Sequence, residues 1–220
     1  MSARERTPRD ARRRLGQNFL GSDLAARLVA EADLRPGELV VEIGAGAGAL
    51  TSALARHGVE VVAVEIDPRW AERLRARVAR MAHPGRVRVV QADFLALPLP
   101  DRPFRVIGSL PFGRTTAVLC RLLDDPRVPL ARADVIVQWE VARKRTAAPP
   151  STLLSTVWAP WWELRLGRRI PAAAFRPVPS VDAAVLVVTR RDRPLLPPAM
   201  AGLYARFVRA HWPFGGAIDR

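Results

Sequence analysis

The chain has 220 residues, 49% of them apolar, enough for one full-sized core with a small appendage. One cysteine (Cys120) excludes an internal disulfide, three scattered histidines (His57, His83, His211) argue against a zinc site, and no apolar stretch approaches the roughly 20 residues that span a bilayer. The formal net charge of +14 rests on 35 basic residues, of which Lys144 alone is a lysine, and so large an excess of guanidinium favours a polyanionic partner.

Codon bias toward G and C accounts for arginine over lysine but not for the sign of the balance. Residues 1–14 hold six arginines against Glu5 and Asp10. Two readings fit them: a flexible arm that lays Arg12, Arg13 and Arg14 on nucleic acid, or a merely solvated tail. The N-terminus shows no apolar signal segment, so a soluble, cytoplasmic protein is expected. Ser22 is expected to cap an amphipathic helix through Ala32, with Leu24, Leu28 and Val29 on one face. Short apolar runs then alternate with helical stretches. The runs are Leu39–Ile43, Glu60–Glu65, Val87–Val90, Arg105–Ile107 and Val135–Val137; the helices are Gly48–Arg56, Arg69–Arg80 and Thr115–Leu123. This rhythm predicts an α/β fold around a largely parallel sheet covered on both faces.

The rhythm changes after Pro150. Trp158, Trp161 and Trp162 precede a strand at Leu164–Ile170, and Ala183–Thr189 is a second. A hairpin of these two around Pro171–Ser180 would close the sheet with an antiparallel element. The tryptophans read as helix–sheet packing, with an exposed stacking platform as the other reading. Residues 191–198 are charged and Pro-rich, a linker by composition, and residues 199–220 carry one helical pattern (Met200, Leu203, Tyr204, Phe207, Val208).

Val40–Thr51 reads as strand, glycine-rich turn and helix start, and the glycines let a ligand approach the backbone. Gly44, Gly46 and Ala49 also satisfy a relaxed dinucleotide fingerprint, and Glu65 ends the next strand where a ribose would lie. Glu42, just before the first glycine, suits a cationic ligand and would repel a pyrophosphate. Asp93 and Phe94 follow the third strand, where a carboxylate can accept from an adenine amino group and a ring can pack on the base. The plainer reading makes Asp93 a helix N-cap and Phe94 core. On balance the pattern favours S-adenosylmethionine over NAD.

The last motifs are Ser109-Leu110-Pro111-Phe112, at the end of the run Phe104–Ile107, and Ala174-Phe175-Arg176-Pro177-Val178-Pro179-Ser180-Val181. With Leu15-Gly16-Gln17-Asn18-Phe19-Leu20 and the glycine turn, they occur in the order found in rRNA adenine N6-methyltransferases. The chain resembles that family over about residues 12–190, and most closely its erythromycin-resistance (Erm) type. The small-subunit rRNA adenine dimethyltransferases usually carry Leu-Pro-Tyr where this chain has Leu110-Pro111-Phe112.

The resemblance implies a Rossmann-like class I S-adenosylmethionine-dependent methyltransferase. Its sheet would have seven mostly parallel strands with an antiparallel last strand, and a reduced C-terminal helical appendage would follow. It places the methyltransferase domain at 15–190, between the basic arm (1–14) and a short linker and helical segment (191–220). It assigns S-adenosylmethionine to Gln17, Asn18, Leu20, Glu42, Gly44, Gly46, Gly48, Glu65, Ile66, Asp93, Phe94 and Ser109, and no metal. The target adenine would meet Ser109, the Leu110 carbonyl, Pro111, the Phe112 ring and Phe175. The implied substrate is 23S rRNA before full ribosome assembly, bound by a monomer, with macrolide–lincosamide–streptogramin B resistance as the outcome.

Two departures stand out. Ser109 occupies a position usually held by Asn or Asp, so retained but slower, or monomethyl-limited, transfer is expected. The segment after the sheet is short, which shifts RNA binding toward the arm and toward Arg143, Lys144 and Arg145, for which a solvated helix face is the alternative. Two other functions stay open: small-subunit rRNA dimethylation in ribosome assembly, and a non-catalytic RNA-binding protein on the same fold.

Overall fold

The structure is a computed structural model that describes residues 18–212. The basic arm, with Arg12, Arg13 and Arg14, and Gln17 of the N-terminal motif lie outside the described residues. In chain order the strands are β1 (Phe19–Leu20), β2 (Leu39–Ile43), β3 (Glu60–Glu65), β4 (Val87–Gln91), β5 (Phe104–Ser109), β6 (Leu130–Gln138), β7 (Trp162–Ile170), β8 (Phe175–Arg176) and β9 (Ala183–Arg190). The helices are α1 (Ser22–Glu31), α2 (Ala49–Arg56), α3 (Pro68–Val78), α4 (Thr115–Leu123), α5 (Trp139–Arg145), α6 (Leu153–Trp158) and α7 (Ala201–His211). None is long and apolar enough to cross a membrane.

Seven strands form one sheet in the order β4-β3-β2-β5-β6-β9-β7. β4, β3, β2, β5 and β6 pair in parallel, and β9 runs antiparallel to both β6 and β7. The expected Rossmann-like sheet with its antiparallel last strand is therefore present. β2 is buried along its whole length, as a central parallel strand covered on both faces must be. One face packs under α4 and α6 with the tryptophans; the other carries α1 and α2.

Several boundaries differ from the sequence reading. Gly21, not Ser22, is the N-cap of α1, and Ser22 is its first helical residue, its hydroxyl 3.4 Å from the Asp23 carboxylate. Gly48 caps α2 in the left-handed region (φ 80°), so that helix starts at Ala49. α3 starts at Pro68, with the Asp67 carboxylate accepting from the Arg69 N–H at 2.8 Å. β6 begins five residues before Val135 because Arg132 and Asp134 pair with each other at 2.6 Å, which lets two charged residues sit on a covered strand.

The tryptophans are core, not a platform. Trp158, Trp161 and Trp162 are buried, and their indole N–H groups donate to the Asp124 carboxylate, the Leu196 carbonyl and the Leu123 carbonyl at 2.7, 2.8 and 3.1 Å. The Trp161 bond also holds residues 191–196 against the core, where the Arg191 N–H reaches the Trp161 carbonyl at 2.9 Å and the Leu195 N–H the Pro160 carbonyl at 2.8 Å. On α7, Val208 faces inward and Tyr204 meets Trp161 edge-on at 5.9 Å, while Leu203 and Phe207 face outward.

One pairing carries the function-bearing ends of the chain together. β1 and β8 form a two-stranded antiparallel sheet, Phe19 opposite Arg176 and Leu20 opposite Phe175. The N-terminal motif and the Pro-rich segment thus clasp each other over the carboxyl ends of the parallel strands.

Candidate active site

In an open parallel sheet the ligand crevice lies outside the strand carboxyl ends, where the strand order reverses. Here that point falls between β2 and β5, and the loops after these two strands touch. Gly44 has φ 72°, and a Cβ on it would come within 3.1 Å of the Ser109 carbonyl oxygen. At Gly108 a Cβ would come within 2.4 Å of the Ile43 carbonyl oxygen. The glycine turn and the Ser109 motif are therefore joined backbone to backbone, with room for no side chain between them.

Around this seam lies a narrow cleft lined by Asn18, Phe19, Gly44, Gly46, Glu65, Ile66, Ser109, Leu110, Pro111, Phe112 and Phe175. Its inner end continues past Leu20, Glu42 and Ala45 to Leu50. To one side it continues past Asp93, Phe94 and Arg114. Of the described residues expected to hold the cofactor or the base, Gly48 alone lines no part of it; it sits behind the turn, where a Cβ would strike Leu74 at 2.5 Å.

Three carboxylates mark the cleft, each held differently. Glu65 is nearly fully buried and accepts from the Gly46 N–H at 2.7 Å and the Asp67 N–H at 2.9 Å, which ties the glycine turn to the end of β3. Asp93 accepts from the Leu95 N–H at 3.0 Å and pairs with Arg114 at 2.7 Å. Asp93 caps a turn rather than a helix and Phe94 is core, and both line the cleft. Glu42 is 1% exposed; one oxygen accepts from the Thr51 hydroxyl at 2.6 Å and the other has no hydrogen-bond partner. Burial pushes its carboxyl up to about 8, opposed by hydrogen bonds from Thr51 and reinforced by the charge of Glu65.

The other half of the cleft is apolar and fixed by packing. The Leu110 N–H donates to the Ile136 carbonyl at 3.0 Å, and its side chain is buried. Pro111 has no N–H to give, and its carbonyl takes the Arg114 N–H at 2.9 Å, starting the turn that carries Phe112. Ser109 and Phe112 are half-buried. Phe175 is 1% exposed and packs with Leu28, Ile136 and Ile170, so it is a wall of the cleft held from behind. Ile66, Val178 and Val181 are exposed apolar side chains, Ile66 on the cleft and the other two in the segment after β8.

Sequence reasoning missed three contributors. Phe19 lines the cleft and packs on Trp70, ring centroids 4.6 Å apart. Arg114 holds Asp93, and Thr51 holds Glu42. Phe19 and Thr51 carried a signal, Phe19 inside the N-terminal motif and Thr51 at the end of the glycine-turn segment. Arg145 is corrected: expected on the RNA face, it is 4% exposed, bonded to the Thr152 hydroxyl at 2.8 Å and set over Trp158. On α5 the α-helical spacing turns it into the core. Arg143 and Lys144 face outward, Arg143 paired with Glu140 at 2.9 Å.

Comparison with known proteins gives the family and the fold. The profile of the family described as "Ribosomal RNA adenine dimethylase" matches residues 9–212. The mycinamicin-resistance protein MyrB of Micromonospora griseorubida is 39% identical over 199 residues, covering 90% of this chain and 62% of that protein. A ribosomal RNA small subunit methyltransferase A of Leifsonia xyli subsp. xyli is 42% identical over 182 residues, 79% of this chain and 64% of that one. The chain thus spans just under two thirds of the length of both relatives. Among solved structures, the 23S rRNA methyltransferase ErmE superposes with a TM-score of 0.79 at 34% identity, covering 91% of this chain and 81% of that one.

Proposed function

The chain belongs to the ribosomal RNA adenine dimethylase family and is an rRNA adenine N6-methyltransferase; from that premise we propose that its methyl donor is S-adenosylmethionine and its target one adenine of 23S rRNA. One observation carries the reading: the Gly44–Ser109 seam, where the glycine turn and the Ser109 motif touch backbone to backbone in one cleft lined by Glu65 on one hand and by Leu110, Phe112 and Phe175 on the other. The residues present fit the cofactor. A turn of glycines and alanines, a buried acid with a free oxygen and a ring at Phe94 suit a ligand that is cationic at one end and aromatic at the other.

S-adenosylmethionine supplies an electrophilic methyl group on a positively charged sulfur. Adenine N6 is a poor nucleophile because its lone pair is delocalised into the ring. The protein's part is placement. The Ser109 hydroxyl and the Leu110 carbonyl accept the two N6 hydrogens and so aim the lone pair at the methyl group. These acceptors also stabilise positive charge growing on nitrogen. Phe112 stacks on the base, which leaves the RNA stack to enter, and Phe175 backs the pocket. No strong base is required, because the methylated ammonium loses its proton to solvent. Ser109 reaches less far than an amide, so transfer proceeds at a reduced rate.

The Phe at position 112 and the likeness to ErmE support 23S rRNA as target and macrolide–lincosamide–streptogramin B resistance as outcome. The protein would act as a monomer in the cytoplasm, before the large subunit is fully assembled. The Leifsonia relative carries the second reading, methylation of small-subunit rRNA. Ribosomes from cells expressing the chain separate the two. The proposal expects their 50S subunits to lose erythromycin binding; unchanged drug binding together with new dimethyladenine in 30S subunits would overturn it.

A further inference from the structure

Glu42 is the one acid of the cleft whose environment leaves it incomplete. Glu65 spends both oxygens on backbone N–H groups, and Asp93 has an N–H and a guanidinium. Glu42 has the Thr51 hydroxyl on one oxygen, nothing on the other, and almost no solvent. Its neighbours offer no counter-charge. Across the sheet it stands beside Ala63 of β3 and Ile107 of β5, and α2 presents Leu50 and Thr51. The one titratable group acting on it electrostatically is Glu65, at the end of β3, which repels. Among the described residues lining this inner end of the cleft, none is cationic. A buried acid with a free oxygen and no cation is stable as the neutral carboxyl, and becomes a carboxylate when a positive charge arrives.

Resting on the assignment of S-adenosylmethionine to this cleft, we propose that Glu42 distinguishes the cofactor from its spent form by charge: the carboxyl releases a proton to solvent when the sulfonium-bearing cofactor binds and regains one when only the uncharged thioether is left. The balance closes over one turnover. Binding expels one proton from Glu42. Transfer moves the methyl group and its positive charge from sulfur to N6, breaking the C–S bond and forming the C–N bond. The N6 ammonium then gives its proton to solvent, and Glu42 takes one back. The carboxylate favours the charged donor over the neutral product, and reprotonation removes that attraction when product must leave. The group is neutral at pH 7 in the free protein, in line with its rise to about 8.

Titration calorimetry on the full chain, in buffers of different ionisation enthalpy, counts the protons directly. At pH 7 S-adenosylmethionine should release up to one proton more from the wild type than from Glu42→Gln, which controls for the cofactor's own amino group. S-adenosylhomocysteine should show no such difference. Between pH 6 and 8 the preference for S-adenosylmethionine over S-adenosylhomocysteine should grow by up to about tenfold per pH unit in the wild type and stay flat in Glu42→Gln. Thr51→Val serves as a second variant: losing its hydroxyl donor should move the proton release to higher pH. Equal proton counts in wild type and Glu42→Gln, or the same pH dependence for both ligands, would overturn the inference while leaving the cofactor assignment intact. Failure of the wild type to bind either ligand would overturn both.

Discussion

The two halves of the cleft meet at one seam and are built by different physics. The half proposed to take the cofactor is made of carboxyl groups fastened by backbone N–H groups, a hydroxyl and a guanidinium. The half proposed to take the base is made of apolar surfaces, Leu110, Phe112 and Phe175, held by neighbours that are themselves packed. The first half has its acids fixed in place before any ligand arrives, with Glu42 left to take up charge on binding. On the proposed function the second would supply shape and two acceptors, and would depend on the RNA to deliver a base. A small ligand bound every cycle benefits from a preformed electrostatic site, whereas a base pulled from a large polyanion brings binding energy from elsewhere.

The strongest test strikes the seam that both halves share. Gly108→Ala forces a methyl group into the Ile43 backbone, which cannot yield as a side-chain tip can. The cost should be about 3 kcal/mol or more, seen as a lower denaturation midpoint and loss of cofactor binding together. A stable Gly108→Ala protein would mean that the halves are not rigidly joined.

Next comes the charge stored in the cofactor half. Because the folded-state proton affinity of Glu42 is raised from 4.5 to about 8, folded protein holds a proton that unfolded chain has lost between these values. This contribution to stability is complete below pH 4.5 and is lost as pH rises toward 8. The slope reaches roughly 1.4 kcal/mol per pH unit. Subtracting the urea midpoints of Glu42→Gln from those of wild type across pH 5–9 isolates it, and a flat difference would contradict the burial account.

Ser109→Asn probes the acceptor on the base side of the seam. At saturating cofactor, methyl transfer to rRNA should rise up to about tenfold, because a longer acceptor reaches N6 better. A fall in turnover would show that the pocket is already fitted to serine.

The smallest effect lies outside the cleft. Arg143→Glu with Lys144→Glu should weaken RNA binding and flatten its salt dependence without altering the melting temperature. Arg145→Ala should do the reverse and lower stability, because its guanidinium is buried against Trp158 and Thr152. An unchanged salt slope for the double reversal would remove α5 from the RNA interface.

The same contrast explains what the sequence disclosed. Strands such as Leu39–Ile43 are visible because a strand covered on both faces is nearly all apolar, Glu42 being its one polar residue. The start of β6 is hidden because Arg132 and Asp134 read as loop residues until their pairing is seen. The cofactor half is legible because its glycines and acids sit within short segments. The clasp of β1 with β8 is not, because nothing local joins Leu20 to Phe175. Arg145 shows the limit most plainly: sequence reports a charge, and only packing reports which way it faces.

The account stands on methyl transfer from S-adenosylmethionine to one adenine of large-subunit rRNA by a site that uses Ser109. Radiolabelled methyl incorporation into protein-free 23S and 16S rRNA, with primer extension to map the modified base, measures it directly. The account predicts label in 23S rRNA and a stop at a single adenine. Label confined to 16S rRNA, or none in either RNA while the cofactor binds, would contradict it.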